Sequence, residues 1–419
     1  MLSSTLKRDS QYNKIFCKIL NIVDEYIFVK NKSKIKYIVL IIIQLVILFS
    51  CNNIVKENNK TQDCNETNEF KELDEAVDNR KIDYKYYDVY GLEPAKVIFP
   101  KNQTIAQGLS VLVNDGHGNL IVFDGGRVED ADYLCDIIKD NGGVVKTWFI
   151  THIHDDHIGA LYKILSDKRI DIEIKELYYD FADFDWYYSK MGNDAGIYHL
   201  FINAIDDYNK FLINNNKPSI MIYNKLNNFS NRDTFYYNFY PETKWYNSDT
   251  KKYMDIRSIS MSVDILNNCY LLDQDPINNT SIVYVVEFGE GKKVQMYIFG
   301  DLGYKGGEKL FDESIKSKGD INELTGKPYE FNYYLTKNAT NIREMFDNSI
   351  VVLSHHGQNG IDPELYKKFN PKVVVWPTSK DIYENTHGTY YTDDTKKVLN
   401  EIKSIKYQLK TYEETIVLR

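Results

Sequence analysis

The sequence predicts a mixed α/β fold, on three observations. Residues 144–150 form a β-branched and aromatic run, typical of a buried strand, and residues 158–165 follow with apolar positions at helical spacing. Residues 108–113 and 119–124 are two β-type runs joined by turn residues, which indicates a hairpin. Hydrophobic residues make up 43% of the 419-residue chain, enough to fill a complete core.

The amino terminus predicts a segment that is not part of this fold. Three lysines precede an apolar run over residues 37–49, about the length of a signal-peptide core and short for a membrane span. The run ends in Leu48-Phe49-Ser50-Cys51, which resembles a bacterial lipobox. That resemblance implies cleavage before Cys51 and acylation of its thiol and new amino group. The alternative is an uncleaved anchor helix, and either would tether residues 84–419 outside the cytoplasmic membrane.

Residues 51–83 predict a flexible linker, because they are polar and show almost no apolar periodicity. The first 50 residues hold eight Lys/Arg and three Asp/Glu, so 43 and 57 remain in the rest of the chain, a net charge of −14. That charge disfavours binding to polyanions. The five cysteines show no paired spacing, and we expect neither a disulfide framework nor a cysteine metal site.

Residues 151–161, THIHDDHIGAL, hold the strongest candidates for chemistry. Imidazole and carboxylate are the common nitrogen and oxygen ligands of divalent ions, and three of the eight histidines of the chain fall within this stretch. The four candidate ligands exceed what one ion needs; they are His152, His154, Asp156 and His157. The sequence places them on a strand-to-helix loop, and the alternative is a solvated loop that is rich in His and Asp.

The following 120 residues are less informative. Residues 177–181 predict a strand, and residues 184–188 are dense in aromatics that could cradle a sugar or a quaternary ammonium group, although core packing is the commoner reason for such a cluster. His199 begins a helical pattern and is expected to be an ordinary packed or surface histidine. His117 lies in the hairpin turn and is expected to be exposed.

Two later strand ends carry further candidates. Residues 282–288 and 295–299 predict a hairpin whose second strand leads into Gly300-Asp301. One carboxylate can bridge two cations, so Asp301 is the natural bridging ligand, with a simple turn aspartate as the alternative. The apolar run 350–353 leads into His355 and His356.

The pattern His152-x-His154-x-Asp156-His157 resembles the metallo-β-lactamase superfamily, in which it supplies most ligands of a dinuclear metal site. The Asn278-Asn279-x-Ser281 motif, Gly-Asp-Leu-Gly at 300–303 and His-His-Gly-Gln-Asn-Gly at 355–360 narrow this to a branch that includes surface phosphorylcholine esterases. DNA-uptake metallo-β-lactamase domains share these motifs more distantly. The resemblance covers about residues 108–419, while 315–346 form a longer connection than the branch usually has.

The resemblance implies a four-layer αββα sandwich, with two mixed sheets face to face and helices outside. One ion would bind His152 and His154, the other Asp156, His157 and His355, with Asp301 between them and Asp124 supporting the histidine loop from behind. A simple turn aspartate is the alternative for Asp124, and His356 is the second choice for the last ligand. The nitrogen-rich ligand set favours zinc, and manganese or iron can fill such sites.

These expectations predict a metal-dependent hydrolase of a phosphodiester or phosphorylcholine-like ester, small or on a cell surface. Asp156 and Asp301 would hold the cations that activate the hydroxide nucleophile, and His356 would protonate the leaving alkoxide. One alternative is an extracytoplasmic nuclease, which the charge of −14 disfavours. Another is a surface lipoprotein whose metals only brace an interaction module. β-Lactam hydrolysis has no support beyond the superfamily name.

Overall fold

The computed structural model describes residues 82–224, 236–239, 254–260, 277–288, 294–307 and 349–419. All of them belong to one of the chain's two compact units, Lys81–Arg419. The predicted anchor segment, Cys51 and nearly all of the linker 51–83 lie outside the described residues, as does the connection 315–346. Among the described helices, none has the length and apolarity needed to cross a bilayer.

Strands dominate the described part of the chain. They are β1 (Tyr84–Tyr87), β2 (Lys96–Phe99), β3 (Ser110–Asn114), β4 (Leu120–Asp124), β5 (Val144–Phe149), β6 (Glu173–Tyr179), β7 (Met221–Asn224), β8 (Tyr236–Phe239), β9 (Met254–Ser260), β10 (Val283–Phe288), β11 (Val294–Ile298), β12 (Ser349–Val352), β13 (Val373–Trp376), β14 (Tyr407–Lys410) and β15 (Thr415–Leu418). The α-helices are α1 (Ala131–Asp140), α2 (Asp155–Ser166), α3 (Phe184–Met191), α4 (Gly196–Asn214), α5 (Tyr366–Phe369), α6 (Lys380–Glu384) and α7 (Thr392–Glu401).

The strands form two mixed sheets. The first has the order β1-β15-β2-β3-β4-β5-β6-β7 and the second β14-β13-β12-β11-β10-β9-β8. In the first sheet an antiparallel pair, β3 and β4, is followed by the parallel strands β5, β6 and β7. The second sheet repeats this order, with β10 and β11 antiparallel and β12, β13 and β14 parallel to β11. The carboxyl ends of β4 and β5 in one sheet therefore correspond to those of β11 and β12 in the other.

The apolar core has layers that match this arrangement. One cluster joins the facing sides of the two sheets, with Phe123 and Phe149 of the first sheet against Tyr284 of the second. A second cluster joins the outer faces to helices, as where Leu134 and Ile138 of α1 pack with Trp148. The predicted four-layer αββα architecture is confirmed. Because both faces of the central strands are covered, β4 and β10 are buried along their whole length.

Most local predictions agree with the structure. The hairpins β3–β4 and β10–β11, strand β5 and the helical pattern after His157 are confirmed. The strand predicted at 177–181 begins earlier, at Glu173, and ends at Tyr179, because pairing with β5 extends it at its amino end. Helix α2 begins at Asp155, so Asp156 and His157 occupy its first turn rather than the loop before it.

Candidate metal centre

The four ligand candidates of residues 152–157 lie directly after the carboxyl end of β5. His152, Asp156 and His157 are buried and His154 is half-buried. The backbone of this segment is tied to the second sheet, since Ile282 N donates to Thr151 O at 2.9 Å and the Tyr284 hydroxyl donates to Ile150 O at 2.8 Å. The segment is therefore fixed by both sheets.

Asp301 follows β11 and faces the imidazoles of this segment. Its Oδ1 lies 3.0 Å from His157 Nε2, and its Oδ2 lies 3.8 Å from His152 Nε2. The preceding Gly300 has φ +57, and a Cβ there would lie 2.8 Å from Thr151 Cβ, so a glycine is needed for this close approach. Asp301 N donates to Ser281 Oγ at 2.9 Å, which fixes the backbone of the aspartate.

The two adjacent histidines after β12 have different surroundings. His356 Nε2 lies 3.2 Å from Asp156 Oδ2 and 3.5 Å from Asp301 Oδ1, and its side chain is 1% exposed. His355 Nε2 lies 3.8 Å from Asp301 Oδ2, and its side chain is 21% exposed. Both residues have positive φ, 48 for His355 and 58 for His356, which directs the two rings differently from an extended strand.

This geometry favours His356 over His355 as the last ligand. His356 Nδ1 lies 2.6 Å from Pro377 O, and because a carbonyl only accepts, Nδ1 carries the proton. The Nε2 lone pair is then directed at Asp156 and Asp301, as ligation requires. His355 instead has Asn278 Nδ2 at 3.4 Å from its Nε2. His356, the second choice from the sequence, is therefore the better candidate for the last ligand.

The candidate ligands form two groups that share Asp301. One group is Asp156, His157, Asp301 and His356, all buried, and the other is His152, His154 and Asp301. Within each group one candidate ligand atom per residue lies within 4.8 Å of all the others. This arrangement brings together residues from β5–α2, β11 and β12, and it matches the requirement of two cations bridged by one carboxylate.

Unsatisfied polar atoms support the fit to metal ions. His157 Nε2, His356 Nε2 and Asp301 Oδ1 are buried and have no hydrogen-bond partner among the described residues; the 3.0 Å approach of His157 to Asp301 lacks hydrogen-bond geometry. Buried polar groups without partners are costly, and cations are the usual compensation where imidazole and carboxylate converge. The donor set of these residues therefore fits divalent ions.

Asp124, at the end of β4, contacts the histidine segment from behind. Its Oδ1 accepts from Thr151 N at 2.8 Å, and its Oδ2 lies 2.8 Å from His157 Nδ1. A carboxylate on Nδ1 orients the ring so that Nε2 is presented to the cluster. Burial raises the pKa of Asp124, although the facing His157 opposes the shift.

In the metal-free protein, burial and neighbouring charges shift the pKa values of three histidines of the cluster. Burial opposes charge on His157, but the carboxylates of Asp301 and Asp124 outweigh it and hold the pKa of His157 well above its usual range. In the same way Asp301 and Asp156 overcome burial and raise the pKa of His356 to about 9. Burial and two neighbouring imidazoles lower the pKa of His152.

Zinc binding to the metal-free protein is expected to release protons and to strengthen as pH rises from 6.5 to about 9. The reason is that the His356 imidazolium must lose its Nε2 proton before Nε2 can bind the ion. Conversely, the stabilisation that protonated His356 gives the metal-free fold is complete below its ordinary pKa and is lost as pH rises through about 9. Calorimetric titration with zinc in buffers of different ionisation enthalpy measures the proton release. Equal zinc affinity at pH 6.5 and 9 would contradict this expectation.

Other candidates from the sequence lie away from the cluster. His199 is exposed on α4 with its ring 4.0 Å from that of Phe184, and His117 is exposed in the β3–β4 turn. The aromatic residues 184–188 form helix α3, in which Tyr187 is buried and Tyr188 is exposed. Sequence reasoning missed two residues that contact the cluster: Thr151, whose hydroxyl donates to Asp124, and Arg127, which approaches Asp156 at 3.6 Å.

Comparison with known proteins agrees with this architecture. Residues 104–211 match the family model of the metallo-beta-lactamase superfamily, a segment that includes the whole 152–157 cluster. The matched segment and the two mixed sheets with flanking helices agree with the metallo-beta-lactamase fold, which the described part of the chain has. No curated protein matches the sequence.

Several solved structures are similar to this chain at low identity. Human tRNase Z, short form, is 12% identical, with 77% of this chain and 96% of that chain covered and a TM-score of 0.30. YhfI of Bacillus subtilis, described as a metallo-beta-lactamase fold protein, is 9% identical, with 76% and 96% covered and a TM-score of 0.34. Yeast PDE1 is 10% identical, with 78% and 97% covered and a TM-score of 0.37.

Proposed function

We propose that this protein is a metal-dependent hydrolase of phosphodiesters, including phosphorylcholine-like esters, that works with two divalent cations. The observation that carries the proposal is the convergence of two ligand groups on one shared carboxylate, Asp301. His152 and His154 would hold one cation, and Asp156, His157 and His356 the other. Four imidazoles among six ligands favour zinc.

When bound, two such cations lower the pKa of a coordinated water to about 7 and offset negative charge that develops on the substrate. The residues of the chain supply orientation and exclude water. Asp124 and the Pro377 carbonyl hold the Nδ1 protons of His157 and His356, so that both rings present Nε2. Among the described residues of the site, His154 and His355 are the more exposed members while the other rings and Asp301 are buried, so a substrate would approach from the side of these two histidines.

His355 is placed to contact the substrate rather than the cations. Its side chain is more exposed than that of His356, and its Nε2 lies near Asp301 and Asn278. Asn278 Nδ2 donates to this Nε2 at 3.4 Å, so only the form of His355 that is protonated at Nε2 would donate to a phosphoryl or leaving-group oxygen, the role that the sequence analysis assigned to His356. Burial lowers the pKa of His355, so proton donation to the leaving alkoxide at this atom would weaken as pH rises; general acid catalysis of this kind adds about 10²–10⁴-fold.

The charge of the site favours an anionic substrate. Two divalent cations exceed the two ligand carboxylates, Asp156 and Asp301, by two positive charges when the four imidazoles are neutral. A phosphodiester anion, with one negative charge, offsets half of that excess, whereas a neutral ester offsets none. The net charge of −14 over residues 51–419 disfavours long polyanions, which supports a small or surface-bound phosphodiester over a nucleic acid.

The test is hydrolysis of bis-p-nitrophenyl phosphate compared with plasmid DNA by the zinc-loaded full chain. We expect turnover of the small diester, loss with a chelator and recovery with zinc. His152→Ala should lose turnover, and His199→Ala, which changes an exposed histidine on α4, should retain it. Preferential cleavage of plasmid would favour the nuclease alternative. Two tightly bound ions without hydrolysis of any phosphodiester would favour an interaction module with structural metals.

We further propose that the protein is a lipoprotein, tethered outside the cytoplasmic membrane through Cys51. Ser50-Cys51 after an apolar run supports this. Cys51→Ala in bacterial cells is expected to abolish incorporation of labelled palmitate, while Cys135→Ala, which removes a buried thiol, should not. Palmitate labelling that persists in Cys51→Ala would refute the assignment.

A further inference from the structure

One cationic side chain contacts the cluster from outside. Arg127 Nη2 lies 3.6 Å from Asp156 Oδ2, the same oxygen that lies 3.2 Å from His356 Nε2. Asp156 is buried. Its carboxylate lies between the His356 imidazole on one side and the Arg127 guanidinium on the other. Among the described residues, Arg127 is the only arginine or lysine within ion-pair distance of a carboxylate of the cluster.

Arg127 is itself held at three points. Its Nε donates to Gln107 O at 2.8 Å, its Nη1 pairs with Asp155 Oδ2 at 2.7 Å, and its backbone N donates to Asp130 Oδ2 at 2.8 Å. Its side chain is only 23% exposed. A planar guanidinium fixed in this way has little freedom left to lose when it orients a carboxylate. Arg127 is therefore a rigid support and not a mobile surface charge.

The loop that carries Arg127 is fastened to the first turn of α2, where Asp156 lies. Gly125 N donates to His157 O at 2.6 Å, and Ala160 N donates to Gly126 O at 3.2 Å. Gly159 permits this contact, because a Cβ there would lie 2.9 Å from Arg127 Cα. The position of the guanidinium relative to Asp156 is thus set by backbone contacts and does not depend on a flexible tether.

We propose that Arg127 is a positioning residue that holds the Asp156 carboxylate toward the second cation and thereby sets the affinity of that site. This inference rests on the proposed dinuclear function. Outer partners of metal ligands contribute about 10–100-fold in affinity, because they fix the ligand's rotamer before the ion binds. Asp155 does not share the role: its side chain is 65% exposed and it reaches Arg127 on the solvent side.

The test isolates the second site in the full chain. In a His152→Ala/His154→Ala background, one zinc should remain, and its dissociation constant can be measured by competition with a chromophoric chelator. Adding Arg127→Gln is expected to weaken that zinc about 10–100-fold. Arg127→Lys keeps the charge but loses the planar fork, and it should recover part of the affinity. Lys163→Gln, which removes an exposed ion pair on the same helix, should leave the affinity unchanged.

Unchanged zinc affinity in Arg127→Gln, with circular dichroism and thermal unfolding of the metal-free protein like those of the background, would overturn the inference. If Arg127→Gln does not fold, Arg127→Met, which keeps an unbranched side chain without the charge, decides: the zinc affinity of the background in that folded variant would also overturn it. A wild-type chain that binds no pair of divalent ions would instead refute the proposed function. Two ions and phosphodiester turnover in the wild type, with no effect of Arg127→Gln, would refute only the role of Arg127.

Discussion

Asp301→Ala is expected to release both cations and to reduce phosphodiester turnover by on the order of 10³-fold or more. The reason is that this carboxylate belongs to both ligand groups, with its two oxygens facing His157 and His152. The electrostatic contribution of bound cations is several kcal/mol, and each 1.36 kcal/mol corresponds to about a tenfold change in rate. Metal content by mass spectrometry and turnover of bis-p-nitrophenyl phosphate measure the two effects.

The control for this prediction is Asp167→Asn, which changes an exposed carboxylate paired with Lys163 at the end of α2. It should keep both ions and full turnover. Asp301→Asn tests the role of charge, since the amide keeps the shape and one oxygen but cannot bridge two cations as an anion. Retention of two ions per chain in Asp301→Ala would refute the bridging role.

The second large effect is expected from His356→Ala, which should empty the site that Asp156 and His157 share with it. His356 Nε2 lies within 3.5 Å of both Asp156 and Asp301, and its Nδ1 donates a hydrogen bond to the Pro377 carbonyl. We expect one zinc per chain instead of two, with turnover reduced by on the order of 10²-fold or more. Stoichiometry after dialysis against limiting zinc provides the measurement.

The matched variant is His355→Ala, one residue away in the same turn. It should keep two zinc ions and lower kcat by about 10²–10⁴-fold, because it removes a substrate contact and not a ligand. Loss of zinc in His355→Ala together with full zinc content in His356→Ala would reverse the two assignments. The pair of variants also separates ligation from folding, because both residues have a left-handed backbone conformation.

The strands and helix that carry the first candidate ligands could be predicted from local sequence alone. His152, His154, Asp156 and His157 share six residues of sequence, and the strand and helix periods around them are local properties of the chain. The hairpins that end at Asp124 and lead to Asp301 follow from turn residues between β-type runs. Only the bounds differed: α2 begins at Asp155, because a helix start depends on capping and on the loop packed against it.

The choice between His355 and His356 could not be made from the sequence. Both follow the same strand, and their separation depends on left-handed φ values and on a carbonyl, Pro377 O, that comes from the end of β13. Arg127 likewise gave no local signal, because it meets Asp156 only after β4 and α2 are brought side by side. Short-range patterns specify which residues can bind an ion, whereas long-range backbone packing decides which nitrogen faces it.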